Sequence, residues 1–181
     1  MEHKETMTKL NLGCGYNFNE GYINIDKNSP HADLNLDLET EEIPFNNVKE
    51  ILMYDFLEHI SNPLLLLANC YKILIVGGKI KIRVPHFSNY SAYNALHKTF
   101  WYSSFFERLT KNTFEGSAEQ HNWFTIKKCY IHFYRLYRLL GIEWLVNLND
   151  RTRLTYEAHL CWIFPADWLE VELVKKRNNA N

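Results

Sequence analysis

The chain has 181 residues, 46% of them hydrophobic and 23% charged, with a formal net charge of −1. That length fits a single domain able to bury a core without disulfides or a structural metal, and the composition excludes wholesale disorder. A near-neutral balance gives no electrostatic reason to bind nucleic acid or an anionic membrane over a broad face, although local basic clusters keep that capacity.

The opening residues, MEHKETMTKL, carry acids and no apolar run, so they read as neither a signal nor a transit peptide. The longest apolar stretch, Leu64 to Val76, is broken by Asn69 and Lys72 and falls short of the ~20 residues a membrane span needs. Cys14, Cys70, Cys129 and Cys161 lie far apart and form no CxxC pair. Free thiols in a reducing, cytoplasmic setting are expected.

Short strands are predicted at Lys9–Leu12, Tyr22–Asp26, Ala32–Asp37 and Glu50–Met53. Pro63 then opens a helix over Leu64–Leu74, closed by Gly77-Gly78, and Lys79–Val84 (KIKIRV) alternates as a strand up to Pro85. Residues 87–124 are aromatic-rich, with a polar loop at Lys111–Asn122 as a candidate lid. Thr125 is read as the cap of an amphipathic helix with Ile126, Cys129, Tyr130, Phe133, Tyr137 and Leu140 on one side, ended by Gly141. A closing strand pair is predicted at Ile142–Leu148 and Trp168–Lys175, with a helix near Leu154–Phe164 between them. The alternation implies an α/β fold, a Rossmann-like three-layer sandwich. Its seven-stranded sheet is mostly parallel with an antiparallel closing strand.

The segment LNLGCG puts Gly13 and Gly15 where a strand turns sharply and its backbone nears a ligand. Asp26 ends the next strand, where a carboxylate can accept from two ribose hydroxyls. The spacing disfavours a dinucleotide. Phe18 stands where a third glycine belongs, and Asp26 follows too soon for a full helix to face a pyrophosphate. A nucleoside without phosphates fits better.

LNLGCG, GYINID, LDLE with IPF, DFLEHI and IVGGKIKIRVPHF, in that order, resemble the motifs of class I S-adenosylmethionine-dependent methyltransferases. The likeness is greatest to small type 11-like enzymes of the kind found with surface-polysaccharide genes. It covers residues 9–87, and more loosely the tail YEAHLCWIFPADWLEVELVK. The resemblance implies that Gly13 and Gly15 line the methionine part of S-adenosylmethionine, that Asp26 holds the ribose, and that Asp37 with Leu38 holds the adenine. Tyr54 would stand at the end of the fourth strand. Two positions depart from the pattern: Asn11 replaces an acid, and Ile75-Val76 replaces Lys-Pro.

Asp55, Glu58 and His59 stand at i, i+3 and i+4, which puts them on one face of a helix beginning after the fourth strand. With His97 they form a candidate site for Mg²⁺, Mn²⁺ or Fe²⁺. The set resembles the metal-binding pattern of RNA end-methylating enzymes and of ubiquinone-pathway O-methyltransferases. A histidine that merely satisfies a backbone group is the other reading of His59. His86, His97 and His59 are the candidate general bases.

The aromatics Phe87, Tyr90, Tyr93, Phe100, Trp101, Tyr102, Phe105 and Phe106 suit a lid and an acceptor pocket, although any one of them is more readily a core residue. Lys127, Lys128, Arg135 and Arg138 are expected to share the polar side of the helix after Thr125. The expected acceptor is a small molecule, a hydroxyl of a sugar or glycan precursor first. The alternatives are metal-assisted 2′-O-methylation of an RNA 3′ end, and a non-catalytic S-adenosylmethionine-binding partner protein.

Overall fold

The computed structural model describes residues 8–111 and 123–177. Seven strands form one sheet: β1 (Thr8–Leu12), β2 (Ile23–Asp26), β3 (Leu34–Asn35), β4 (Val48–Tyr54), β5 (Leu74–Pro85), β6 (Phe124–Phe133) and β7 (Ala166–Lys175). Their order is β3-β2-β1-β4-β5-β7-β6, parallel throughout except that β7 runs antiparallel to both of its neighbours. The mostly parallel sheet with a reversed closing strand is therefore as expected.

One face of the sheet carries the core. Leu10, Leu12, Ile51, Met53, Ile80, Ile82, Val84, Leu169, Val171 and Leu173 are buried there. They share a cluster with Leu66, Leu67 and Cys70 of α1 (Pro63–Ile73), Phe106 and Leu109 of α2 (Ser103–Lys111), and Tyr156 of α5 (Asp150–His159). Asn62 caps α1 by accepting from Leu65 N, and Pro63 occupies its first position. Lys175 Nζ closes the other end of α1 by donating to the carbonyls of Tyr71 and Leu74.

The opposite face is a charge ladder. Lys79, Lys81 and Arg83 alternate with the core residues of β5, and Glu170 and Glu172 with those of β7. Lys81 pairs with Glu50 at 2.9 Å and Lys79 with Glu172 at 3.4 Å. The β1–β2, β2–β3 and β3–β4 connections hold only turns, so among the described residues helices cover one face of the sheet, and the second helical layer expected of a three-layer sandwich is not formed by these crossovers.

Two predicted elements differ in kind. Phe124–Phe133 is a strand, not the first half of a helix. A bulge between Ile126 and Lys128 adds a residue, so the buried-side positions run Ile126, Cys129, Ile131 and Phe133 and imitate a helical spacing. The helix begins only at α3 (Arg135–Leu139). Lys127 and Lys128 thus sit on the strand, paired with Glu172 and Glu170, and do not share a helix face with Arg135 and Arg138.

The second is Ile142–Leu148, a predicted strand, which holds α4 (Ile142–Val146). Its polar side chains satisfy the outer edge of β6. Asn147 Oδ1 accepts from Ile131 N while its Nδ2 donates to Ile131 O, and Glu143 accepts from Phe133 N. A helix covers the edge that another strand would otherwise seek.

Smaller shifts follow local geometry. Strand β3 keeps only two of the six residues predicted for it. Gly77 (φ 77°) and Gly78 lie in a bulge within β5, whereas α1 already ends at Ile73. The predicted loop Lys111–Asn122 lies outside the described residues except for Lys111, the last of α2.

Candidate functional site

The carboxyl ends of β1 to β5 meet where ligands of open α/β sheets bind. After β1 the chain turns through Gly13 (φ 66°) and Gly15 (φ 50°), both in the left-handed region. Gly15 N donates to Asp26 Oδ2 at 2.9 Å, and Asp26 Oδ1 accepts from Asn28 N and Ser29 N at 2.8 and 2.9 Å. The acid that ends β2 therefore fastens the glycine turn and begins its own loop. Gly13 has a second reason to be glycine, because a Cβ there would lie 1.9 Å from Cδ2 of Phe56.

Asn11 explains itself in this setting. Its buried amide donates to Asn17 O at 2.8 Å and to Asn24 Oδ1 at 2.9 Å, which ties down the helix-free crossover. A carboxylate could not donate either bond.

The residues expected at the adenine end lie on the loop after β3. Asp37 is paired with Lys27 at 2.5 Å, which holds its carboxyl below the usual range, and Leu38 is buried beside it in sequence. Glu39 accepts from Ser61 N and from Lys98 Nζ, both at 2.7 Å, and is held down to about 2 chiefly by Lys98. Glu39 thereby links the Asp37–Leu38 loop to the segment that carries His97. Tyr54 ends β4 with the Arg83 guanidinium 5.0 Å from its ring centroid.

Three of the four expected metal ligands converge. Ligand atoms of Glu58, His59 and His97 lie within 4.8 Å of one another. The rings of His59 and His97 meet edge to face, 4.8 Å between centroids. His59 Nδ1 lies 3.2 Å from Leu96 O and His97 Nδ1 3.1 Å from Ala92 O. A carbonyl only accepts, so each Nδ1 carries a proton, and in a neutral ring the lone pair is then on Nε2. Glu58 is 2% exposed and its Oε2 has no partner among the described residues; burial pushes its carboxyl up to about 7.

Asp55 does not join them. The segment after β4 is no α-helix but a single 3₁₀ turn at Leu57–His59, and Asp55 precedes it at φ 53°. Its carboxylate is bound to Arg83 instead.

His86 is fully buried at the end of β5, with Nδ1 2.8 Å from Ser88 Oγ and Nε2 3.4 Å from Glu157 Oε1. Both ring nitrogens are engaged inside the protein, so this histidine positions its neighbours and has no open path to an acceptor. Glu157 also accepts from Ser103 N at 2.5 Å. It lines a cavity of about 400 Å³ with Phe87, Phe100, Tyr102, Ser104, Leu154 and Ala158. Sequence reasoning missed Glu157, which sits 71 residues from His86 within YEAH and belongs to no local spacing. Of the aromatics after β5, Phe87, Phe100 and Tyr102 line this cavity, whereas Trp101 and Phe106 are core.

No family model matches the sequence, and no curated protein matches it. Solved structures do. One is a chain from the complex of the Haloferax volcanii Trm112 methyltransferase activator with a protein described as a methyltransferase. It is 16% identical, covers all of this chain and 87% of its own, and has a TM-score of 0.62. Another is Haemonchus contortus phosphoethanolamine N-methyltransferase 2 with S-adenosyl-L-methionine, at 15% identity and TM-score 0.60. It matches 94% of this chain, which spans about half (49%) of that larger protein. The plantazolicin methyltransferase BpumL, bound to S-adenosylhomocysteine, is 18% identical over 94% of this chain and 76% of its own, with a TM-score of 0.55. The fold is that of the class I S-adenosylmethionine-dependent methyltransferases.

Proposed function

We propose that the protein transfers a methyl group from S-adenosylmethionine to a hydroxyl of its acceptor. The observation that carries this reading is the glycine turn of β1 fastened to Asp26, at the carboxyl end of the sheet in a methyltransferase fold. Gly13 and Gly15 would border the methionine part of the cofactor, Asp26 the ribose, and Asp37 with Leu38 the adenine, with Tyr54 at the end of β4. Calorimetry with S-adenosylmethionine tests it. Asp26→Ala removes charged acceptors from the ribose hydroxyls and is expected to weaken binding at least tenfold, about the 1.5–3 kcal/mol of a hydrogen bond to a charged group. Unchanged binding in this variant would sink the assignment.

The cofactor supplies an electrophilic methyl group, and the protein has to bring an oxygen in line with it. Glu157 is the carboxylate that reaches the acceptor cavity, and Ser103 N and His86 hold it in place. It is our choice for the general base, with His86 as its positioning residue. Glu157→Gln is expected to lower kcat by roughly 10²–10⁴-fold, with S-adenosylmethionine affinity retained. A variant that turns over normally would return the role to His59 or His97. Phe87, Phe100 and Tyr102 offer flat faces for a ring, and a sugar of a glycan precursor is the acceptor to assay first.

The Glu58, His59 and His97 donor set fits a divalent cation, because their ligand atoms lie within 4.8 Å of one another, each Nδ1 faces a carbonyl and so leaves Nε2 as the donor of a neutral ring, and Glu58 Oε2 is buried with no partner among the described residues. Mn²⁺ or Fe²⁺ suits this mixed imidazole and carboxylate set better than Mg²⁺, which keeps to oxygen. Such an ion would lower the pKa of a bound hydroxyl. The RNA alternative loses its continuous basic face, because Lys127 and Lys128 are spent on Glu172 and Glu170.

A further inference from the structure

The helical segment between β6 and β7 exposes an unusual number of large apolar side chains. Leu136, Leu139 and Leu140 at α3, Trp144 and Leu145 on α4, and Leu148 after it are 48–76% exposed. Leu154 of α5 and Trp162 and Ile163 beyond it are 54–66% exposed. The two tryptophans alone offer on the order of 300 Å², and the whole set exceeds the few hundred Å² that a soluble monomer usually shows in one patch. The surface spans neighbouring elements, since α3 touches α4 and α4 touches α5.

It is also continuous with the acceptor cavity. Leu154 belongs to both, and the Trp162 ring meets the cavity residue Phe87 edge to face, 5.7 Å between centroids.

Arg135, Arg138 and Arg151 beside the patch are exposed and make no ion pair among the described residues. Of the acids nearest in sequence, Asp150 is paired with Arg153, which leaves Glu143, held by Phe133 N and Tyr130, against three arginines. A two-fold contact between copies would set this patch against itself and bring arginine to arginine. Leucine, isoleucine and tryptophan fringed by arginine instead match the interfacial zone of an anionic bilayer. No helix among the described residues is long and apolar enough to cross a membrane, so the patch would lie on the surface.

We propose that α3, α4 and the end of α5 seat this protein on an anionic lipid surface, and that its acceptor is a hydroxyl compound carried on a lipid. The acceptor's apolar part enters between Phe87, Phe100 and Leu154. The acceptor half of this proposal rests on the methyltransferase reading; the seating does not.

Co-sedimentation of the whole chain with vesicles tests it, comparing phosphatidylcholine alone with phosphatidylcholine containing roughly 30% phosphatidylglycerol to mimic an anionic leaflet. Binding is expected to the anionic vesicles, weakened by salt, and reduced at least tenfold in Leu139→Glu/Trp144→Glu. Both side chains of that variant are already in solvent, and its melting temperature should stay near that of the parent. Light scattering at the same concentrations reads self-association. A dimer that the variant dissolves, with no vesicle binding, would overturn the proposal in favour of a second copy. Absence of both would overturn it outright. S-adenosylmethionine affinity is measured in parallel: its loss with vesicle binding intact defeats the methyltransferase reading alone, and the converse result defeats the seating alone.

Discussion

Gly13→Ala is expected to destabilise the protein by about 2–5 kcal/mol, the sum of a positive-φ penalty and a core overpacking cost. The added Cβ would stand 1.9 Å from Cδ2 and 2.7 Å from Cβ of Phe56. Rotating the ring relieves the first contact but not the second, so the backbone of one segment has to move. Those segments are the turn after β1 and the residue before the Leu57–His59 turn. The variant should therefore lose cofactor affinity along with stability. Gly15→Ala is the control. It has a similar φ of 50°, but nothing stands within 4 Å of the place its methyl carbon would take, so only the left-handed penalty of about 1–2 kcal/mol applies. Urea unfolding of both variants, and of each in a Phe56→Gly background that also removes the Phe56 Cβ, separates the terms. Equal costs at the two glycines, or no relief from Phe56→Gly, would show that packing on Phe56 is not what Gly13 provides.

Much of the parallel half was legible because each of its signals is local. A glycine pair ends one strand, an acid ends the next, and Asn62-Pro63 opens a helix, all within a few residues of the structure they specify. The closing half was less so. At Ile126–Phe133 a bulge shifts the two-residue alternation by one, and the string then satisfies a helical template as well as a strand. At Ile142–Val146 the apolar run has no periodicity to choose between states, and the choice is made by Glu143 and Asn147 reaching the edge of β6. The candidate site shows the same division. Glu58 and His59 could be placed from their neighbours in the chain, and His97 joins them because Lys98 N and Thr99 N bond to the Glu58 carbonyl. Asp55 shares their spacing yet leaves the group, since a left-handed residue followed by a 3₁₀ turn does not keep i and i+3 on the face that an α-helix would. Glu157 was invisible because its partner is 71 residues away.

Mn²⁺ at about 100 times its dissociation constant is expected to stabilise the protein by about 2.7 kcal/mol at pH 8. For a chain of this size that is a rise in melting temperature of roughly 5–10 °C. The cause is the state of Glu58 without metal. Its folded pKa is raised from 4.5 to about 7 by burial, so the folded protein binds more protons than the unfolded chain between those values. Stability then falls as pH rises through that window, by on the order of 3 kcal/mol, and is lowest above pH 7. A cation between Glu58, His59 and His97 compensates the charge where it is most costly. Below pH 7 protons compete for the same carboxylate, so the Mn²⁺ increment should shrink. Glu58→Gln removes the buried charge, and the metal-free variant should be more stable than the parent at pH 8, with a flatter pH profile. It should also lose the response to Mn²⁺, as should His97→Ala. These two variants separate the readings. If His59 only satisfies the Leu96 carbonyl, Mn²⁺ leaves the melting temperature of the parent unmoved, and Glu58→Gln stabilises with nothing to lose. If the metal site is real, the gain from Glu58→Gln without metal and the loss of the Mn²⁺ response appear together in one protein.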